Sequence, residues 1–250
     1  MKYCLALILA LSLTGVSGQL RQGLQLQFDF GYRRALRLDG FQSELYQRGH
    51  WLQGGFGFTE LKDPWFNRLE FSGHAGWSRP GDLQEYSIRD YGGECFYELL
   101  IRIYDLENGG RLYSGLSSLT DLAYTNNTRL GNNSWSWRLL SGFGPGVAYI
   151  HDLTIKSQGF QFIFEQHIPL VVYGSGPTFV SAIVADEEDW EEWSVLGRNQ
   201  IWRSQFALNW VQESGNAFGL RYIWSYGRLN SPNSQHWAFH HLGLIMHVAL

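Results

Sequence analysis

Apolar side chains fall on every second position through most of the chain. Leu24, Leu26, Phe28, Phe30 and Tyr32 are interleaved with Gln25, Gln27, Asp29, Gly31 and Arg33. Leu69, Phe71, Gly73, Ala75 and Trp77 are interleaved with Arg68, Glu70, Ser72, His74 and Gly76. The same period recurs in Tyr97, Leu99, Ile101 and Ile103, and in Phe160, Phe162 and Phe164. It returns in Phe206, Leu208 and Trp210, in Leu220, Tyr222 and Trp224, and in Leu242, Leu244, Met246 and Val248. Successive side chains of a strand point to opposite faces, so each run predicts a strand with one apolar and one polar face. The pattern places strands near 20–33, 50–59, 66–77, 91–105, 111–124, 134–143, 146–155, 159–173, 177–185, 198–212, 217–227 and 236–249.

The connections sort into two kinds. Those at 60–65, 106–110, 144–145, 174–176 and 213–216 are short and rich in Gly, Asn or Pro, as tight hairpins require. Those at 34–49, 78–90, 125–133, 186–197 and 228–235 are longer and polar. Only the Lys156-Ser157-Gln158 link breaks the alternation. Short turns on one rim and long loops on the other mark an outer-membrane barrel. The expected fold is all-β: a closed antiparallel transmembrane β-barrel of about twelve strands. Ten also fit, because 134–185 divides in more than one way.

The first residues read differently. Lys2, an apolar run from Leu5 to Leu13 and small residues ending at Gly18 form a secretory signal peptide. Residues 1–18 would be removed, leaving a single barrel domain over 19–250 with Cys95 as its one cysteine. The apolar run is too short for a membrane helix, which needs roughly 20 residues.

Composition separates a membrane barrel from a soluble sandwich. Of 250 residues, 11 are Trp, 13 Tyr and 16 Phe. Many sit at strand ends, among them Tyr32, Trp51, Trp77, Trp135, Trp137, Trp202, Trp210, Trp224 and Tyr226, where a headgroup-level girdle would lie. The basic residues are almost all Arg, and a formal charge of -4 argues against a phosphate-backbone binder. The polar faces carry Asp29, Arg33, Arg68, Glu70, Glu98, Arg102, Asp121, Arg138, Glu165, Arg203 and Arg221. A lumen favours Arg, whose planar fork serves two carboxylates. In lipid every backbone group must be paired, so the sheet must close. The last strand, apolar at alternate positions to Val248 and ending in Leu250, resembles the C-terminal targeting strand of bacterial outer-membrane proteins.

The segment Phe164-Glu165-Gln166-His167-Ile168-Pro169-Leu170-Val171-Val172-Tyr173, followed by Gly174-Ser175-Gly176-Pro177, resembles outer-membrane β-barrel proteins of Bacteroidetes-type bacteria. The resemblance implies a barrel fold in the bacterial outer membrane and brings no activity with it.

Several sites are candidates for chemistry. The ionic residues Asp29, Arg33, Arg68, Glu70, Glu98, Arg102, Arg138, Glu165, Arg203 and Arg221 would form a lumen cluster. Arg68 with Glu70, Glu98 with Arg102 and Glu165 with His167 are neighbours along their strands. The cluster would line a narrow channel or plug it. Asp186, Glu187, Glu188, Asp189, Glu191 and Glu192 form an acidic external loop, with Trp190 and Trp193 among them, suited to a cation or a basic partner. The histidines His236 and His240 are too far apart along one face for a single metal ion, and no cofactor motif is present. A Ser–His pair on the outer wall would make a lipid-acting hydrolase, but no sequence signature selects one. Gly54-Gly55-Phe56-Gly57-Phe58 lacks the Lys and helix of a phosphate loop. The readings are therefore a non-enzymatic barrel, a membrane hydrolase, or a secreted soluble β-sandwich, to which the sequons at Asn126 and Asn132 would belong. For the barrel, the expected partners are outer-membrane lipid and, during insertion, the barrel-assembly machinery.

Overall fold

The alternating runs do form strands, and they are longer than their apolar segments. The computed structural model describes residues 23–39, 43–80, 88–107, 109–126, 135–176, 190–195, 197–230 and 235–250. It has twelve strands: β1 (Gly23–Asp39), β2 (Ser43–Lys62), β3 (Trp65–Pro80), β4 (Ile88–Asp105), β5 (Gly110–Asn126), β6 (Trp135–Ile155), β7 (Gln158–His167), β8 (Val171–Gly176), β9 (Trp190–Val195), β10 (Gln200–Val211), β11 (Ala217–Leu229) and β12 (Gln235–Ala249). The leader, the expected strand at 177–185 and the acidic residues Asp186 to Asp189 lie outside the described residues.

Every pairing is antiparallel. β1 to β7 follow in order, β7 pairs with β10, β10 with β11, β11 with β12, and β12 returns to β1. The ring closes with ten strands. β8 and β9 stand outside it as a ribbon that pairs with the first half of β6. A closed ring leaves no lipid-exposed edge, which is the condition for a sheet in hydrocarbon.

The expected turn at Gly144-Pro145 does not exist. β6 runs straight through it, with Leu116 opposite Pro145. The break falls on the neighbouring strand instead. β6 pairs with β7 up to Gly146↔His167 and with β8 from Phe143↔Val171, so one extra residue is accommodated between β7 and β8. The Ile168 N–H donates to the Pro145 carbonyl at 3.1 Å and the Leu170 N–H to the Phe143 carbonyl at 2.9 Å. Pro169 sits between them, where a missing N–H interrupts no ladder bond. A bulge is one of the few places where a sheet tolerates proline.

Gly174-Ser175-Gly176, also expected as a turn, lies within β8 and pairs with Leu139 and Leu140 of β6, and with both turns gone the short and long connections alternate. The tight turns lie at 63–64, 106–109, 156–157 and 212–216, on the rim where β1 begins and β12 ends. Lys156-Ser157 belongs with them: both residues have positive φ, 49° and 64°, the backbone of a two-residue hairpin. The strands overrun their apolar segments at the opposite rim. There the wall stands in water on its outer side as well, so pairing continues after the apolar alternation has faded. β1, expected to end at 33, continues to Asp39, and β2 begins at Ser43.

Candidate functional site: a filled lumen and an apolar outer wall

Alternation along the strands decides what each face meets. The outward set is apolar and accessible: Phe30 is 63% exposed, Leu52 60%, Leu242 59% and Leu244 61%. A water-soluble protein does not carry such residues around its whole girth. The apolar run stops, toward the loop rim, at Arg34 on β1, His50 on β2, Arg89 on β4 and His240 on β12. On β1 it covers Leu24 to Tyr32, about 27 Å along the strand, which a tilted strand converts to the height of a membrane band.

The inward set is a folded core rather than a lining. Its middle is ionic. Buried there are Arg33, Arg37, Arg68, Arg138, Arg203 and Arg221, with the carboxylates Asp29, Glu70, Asp90, Glu94, Glu98, Asp121 and Glu165. Arg203 on β10 reaches Glu70 on β3 at 3.0 Å. Those strands are five positions apart in either direction round the ten-strand ring, so this bond spans the full lumen. Arg221 on β11 contacts Glu70 and also Asp29 at 3.3 Å. Arg68 bridges Glu98 at 2.9 Å and Glu165 at 2.6 Å. His241 Nε2 lies 2.9 Å from Asp29. Toward the loop rim come Arg33 with Glu94 at 2.6 Å, Arg37 with Asp90 at 2.9 Å and Arg138 with Asp121 at 3.0 Å.

Apolar layers cover the ionic one on both sides. On the loop side, Ala35, Trp51, Leu140, Ile201, Trp237 and Phe239 cluster, with Phe96 and Leu119 below them. On the turn side, Leu61, Phe66, Leu100, Tyr113, Ile150 and Ile163 do the same. The arginines lie over these aromatic rings: Arg33 is 3.8 Å from the Phe239 ring centre, Arg138 3.8 Å from that of Trp237 and Arg203 4.4 Å from that of Phe96. Such stacking stabilises a desolvated guanidinium. A cavity of about 20 Å³, lined in part by Gln27, Thr59, Arg68, Glu165 and His247, is room for about one water.

Three expectations need correction here. Arg102 is not in the lumen cluster. It sits at the turn rim, about a quarter exposed, paired with Asp63 at 2.8 Å and Asp105 at 3.5 Å. The pairing itself also differs. Arg68 with Glu70, Glu98 with Arg102 and Glu165 with His167 are not partners, because alternate side chains of a strand stand side by side and meet groups arriving from other strands. Trp51, expected in the girdle, is inside and stacks on His74 at 4.6 Å. The remaining cluster residues, Asp29, Arg33, Arg68, Glu70, Glu98, Arg138, Glu165, Arg203 and Arg221, are all buried together. Arg37, Asp90, Glu94 and His241 join them. The sequence held a signal for these: Asp90 and Glu94 share the alternate positions of Glu98, and Arg37 those of Asp29 and Arg33.

Of the acidic loop, Glu191 and Glu192 are described. They lie on β9, and Arg198 reaches Glu192 at 2.9 Å. A Ser–His hydrogen bond does form, between Ser117 Oγ and His167 Nδ1 at 2.6 Å, but both residues are 1% exposed and inside the wall. No bulky acyl ester could reach it.

A closed antiparallel ring, an apolar exterior and short turns on the rim of the first and last strands define an outer-membrane β-barrel, and place the chain in the bacterial outer membrane. The secreted sandwich is thereby excluded, since two packed sheets would not close on one another. No protein-family description matches the sequence, and no curated protein does. Among solved structures, the chain is similar to the outer-membrane protease OmpT of Escherichia coli, with 7% identity over 90% of this chain and 96% of that one and a TM-score of 0.48. It is similar also to Neisserial surface protein A, with 10% identity, 91% and 97% coverage and a TM-score of 0.38. The translocator domain of the autotransporter NalP from Neisseria meningitidis has 6% identity, 92% and 90% coverage and a TM-score of 0.41.

Proposed function

We propose that this barrel conducts nothing and works as a structural or scaffold element of the outer membrane. The supporting observation is the Arg203–Glu70 pair, which joins opposite walls at 3.0 Å in the middle of the lumen. A ten-strand barrel falls between eight-strand barrels that side chains fill and sixteen-strand barrels that hold water. Here the bulk of Trp51, Phe96, Trp237 and Phe239 tips the balance toward filling. The leader at 1–18 fits delivery to the periplasm, and insertion would then use the barrel-assembly machinery. Pro169 in its bulge belongs to the segment that resembles Bacteroidetes-type barrels, and we assign the chain to that group on it.

Planar-bilayer recording tests the reading. The purified protein should give no current steps at any voltage. The variant Glu70→Ala/Phe96→Ala/Arg203→Ala, which removes the bridge and the ring beneath it, should give small, noisy conductance. Steady ohmic current from the unaltered protein would overturn the proposal.

A further inference from the structure

The lumen matches its arginines with carboxylates; the outer wall does not. Arg34, Arg48, Arg79 and Arg89 point outward on β1 to β4, and among the described residues no carboxylate pairs with them. Their placement is ordered. Arg34, His50, Trp77 and Arg89 are successive register partners across the four strands. Arg48 and Arg79 face each other one outward position nearer the loop rim. The next outward row toward the turns is Tyr32, Leu52, Ala75 and Tyr91, where the apolar band begins. The Tyr32 hydroxyl bonds to His50 Nδ1 and ties the two rows together.

A second observation lies on the same strands. One row farther into the band, Phe30 is followed by Gly54, Gly73, Gly93 and Leu122. Three adjacent strands thus carry no side chain at one level of the lipid-facing wall. The fold does not require glycine at the first two. A Cβ at Gly54 would come no closer than 3.8 Å to any atom, and one at Gly73 no closer than 3.7 Å. By contrast, one at Gly57 would meet the Leu69 carbonyl at 2.5 Å. The missing side chains leave a groove of about 740 Å³, floored by backbone and walled by Phe28, Phe56, Phe71, Cys95 and Leu122. It starts about 13 Å along the strands from the basic row.

We propose that the β1–β4 face is a binding site for a phosphate-bearing lipid of the external leaflet, its headgroup on Arg34, His50 and Arg89 and one acyl chain in the glycine groove. Arginine suits the head because its planar fork takes phosphate oxygens in pairs. Cations just beyond an aromatic girdle meet anionic headgroups at short range. The groove suits the tail because it is apolar, shallow and inside the hydrocarbon band. Neither half depends on whether the lumen is open.

Native mass spectrometry of the full barrel in detergent tests this. The probes are lipid A with two phosphates, its dephosphorylated form, and inorganic phosphate as competitor. The unaltered protein should bind one phosphorylated lipid with about tenfold preference over the dephosphorylated form. Arg34→Gln/His50→Gln/Arg89→Gln should abolish that preference, and Arg34→Lys/Arg89→Lys should restore most of it. Gly54→Leu/Gly73→Leu should weaken both lipids about tenfold while keeping the preference. Retained heat-modifiable migration on a gel shows that each variant is folded. Equal binding of the two lipids by the unaltered protein would overturn the proposal, as would unchanged binding by the folded variants. Displacement of the lipid by millimolar inorganic phosphate would assign the basic row to free phosphate and overturn it too.

Discussion

Removing the Glu70 carboxylate should be the most costly single change in the lumen. Glu70 is 2% exposed and accepts from Arg203 at 3.0 Å, from Arg221, and from Gln27 Nε2 at 3.4 Å. After Glu70→Ala, Arg203 keeps Gln205 Oε1 at 3.3 Å and the Phe96 ring but no carboxylate partner among the described residues, whereas Arg221 keeps Asp29. Breaking a buried pair by deleting one partner costs about 3–5 kcal/mol, mostly because the other charge stays buried. With a guanidinium slope of about 5 kcal/mol per molar, the unfolding midpoint in detergent should fall by about 0.6–1 M. Tryptophan fluorescence reads it, since Trp51 and Trp237 leave the lumen on unfolding. A second variant separates charge from packing: Glu70→Leu/Arg203→Met removes one charge of each sign, leaves Arg221 on Asp29, and should recover most of the loss. Asp29 also retains His241. A Glu70→Ala shift below about 0.2 M, the size expected of a solvent-exposed pair, would refute the account of a desolvated bridge.

Two further outcomes follow from the packing. A Cβ at Gly227 would lie 2.0 Å from the Trp237 ring, so Gly227→Ala should push that indole off Arg138 and cost about 1–3 kcal/mol. Near-UV circular dichroism should lose intensity, and Gly54→Ala, whose Cβ would make only ordinary contacts at 3.8 Å, should change stability by less than about 0.5 kcal/mol. Cys95 points out of the wall between Phe71 and Thr120. A nitroxide placed there should be relaxed strongly by oxygen and weakly by a polar nickel reagent; the reverse order would put that wall in water.

How far the sequence could be read depended on which physical effect was in charge. Where lipid meets the wall, alternation is strict, and Leu24 to Tyr32 or Leu242 to Val248 show both the strand and its faces. Beyond the membrane band charged residues interrupt both faces, Arg34 outward and Arg37 inward, and Arg34 to Asp39 looked like loop. Gly144-Pro145 carries the composition of a turn, but a proline also fits a strand where it faces a bulge in its neighbour, and only the partner strand decides between them. The Lys156-Ser157 turn has neither Gly nor Asn, so its two positive-φ residues left no mark in the composition.

The candidate site divides the same way. The sequence by itself determined that Asp29, Arg68, Glu70, Glu165, Arg203 and Arg221 share the inward face, because a period of two assigns faces without knowledge of neighbours. It could not determine which charge meets which. Partners across a lumen are set by ring size, shear and closure, and Arg203 and Glu70 are 133 positions apart along the chain. The same limit explains Trp51: an aromatic at a strand end reads as girdle until the barrel's interior is known to need filling. The glycine row is the clearest case. Gly54, Gly73 and Gly93 lie on three strands far apart in sequence position, and only the register brings them to one line beneath Arg34, His50 and Arg89.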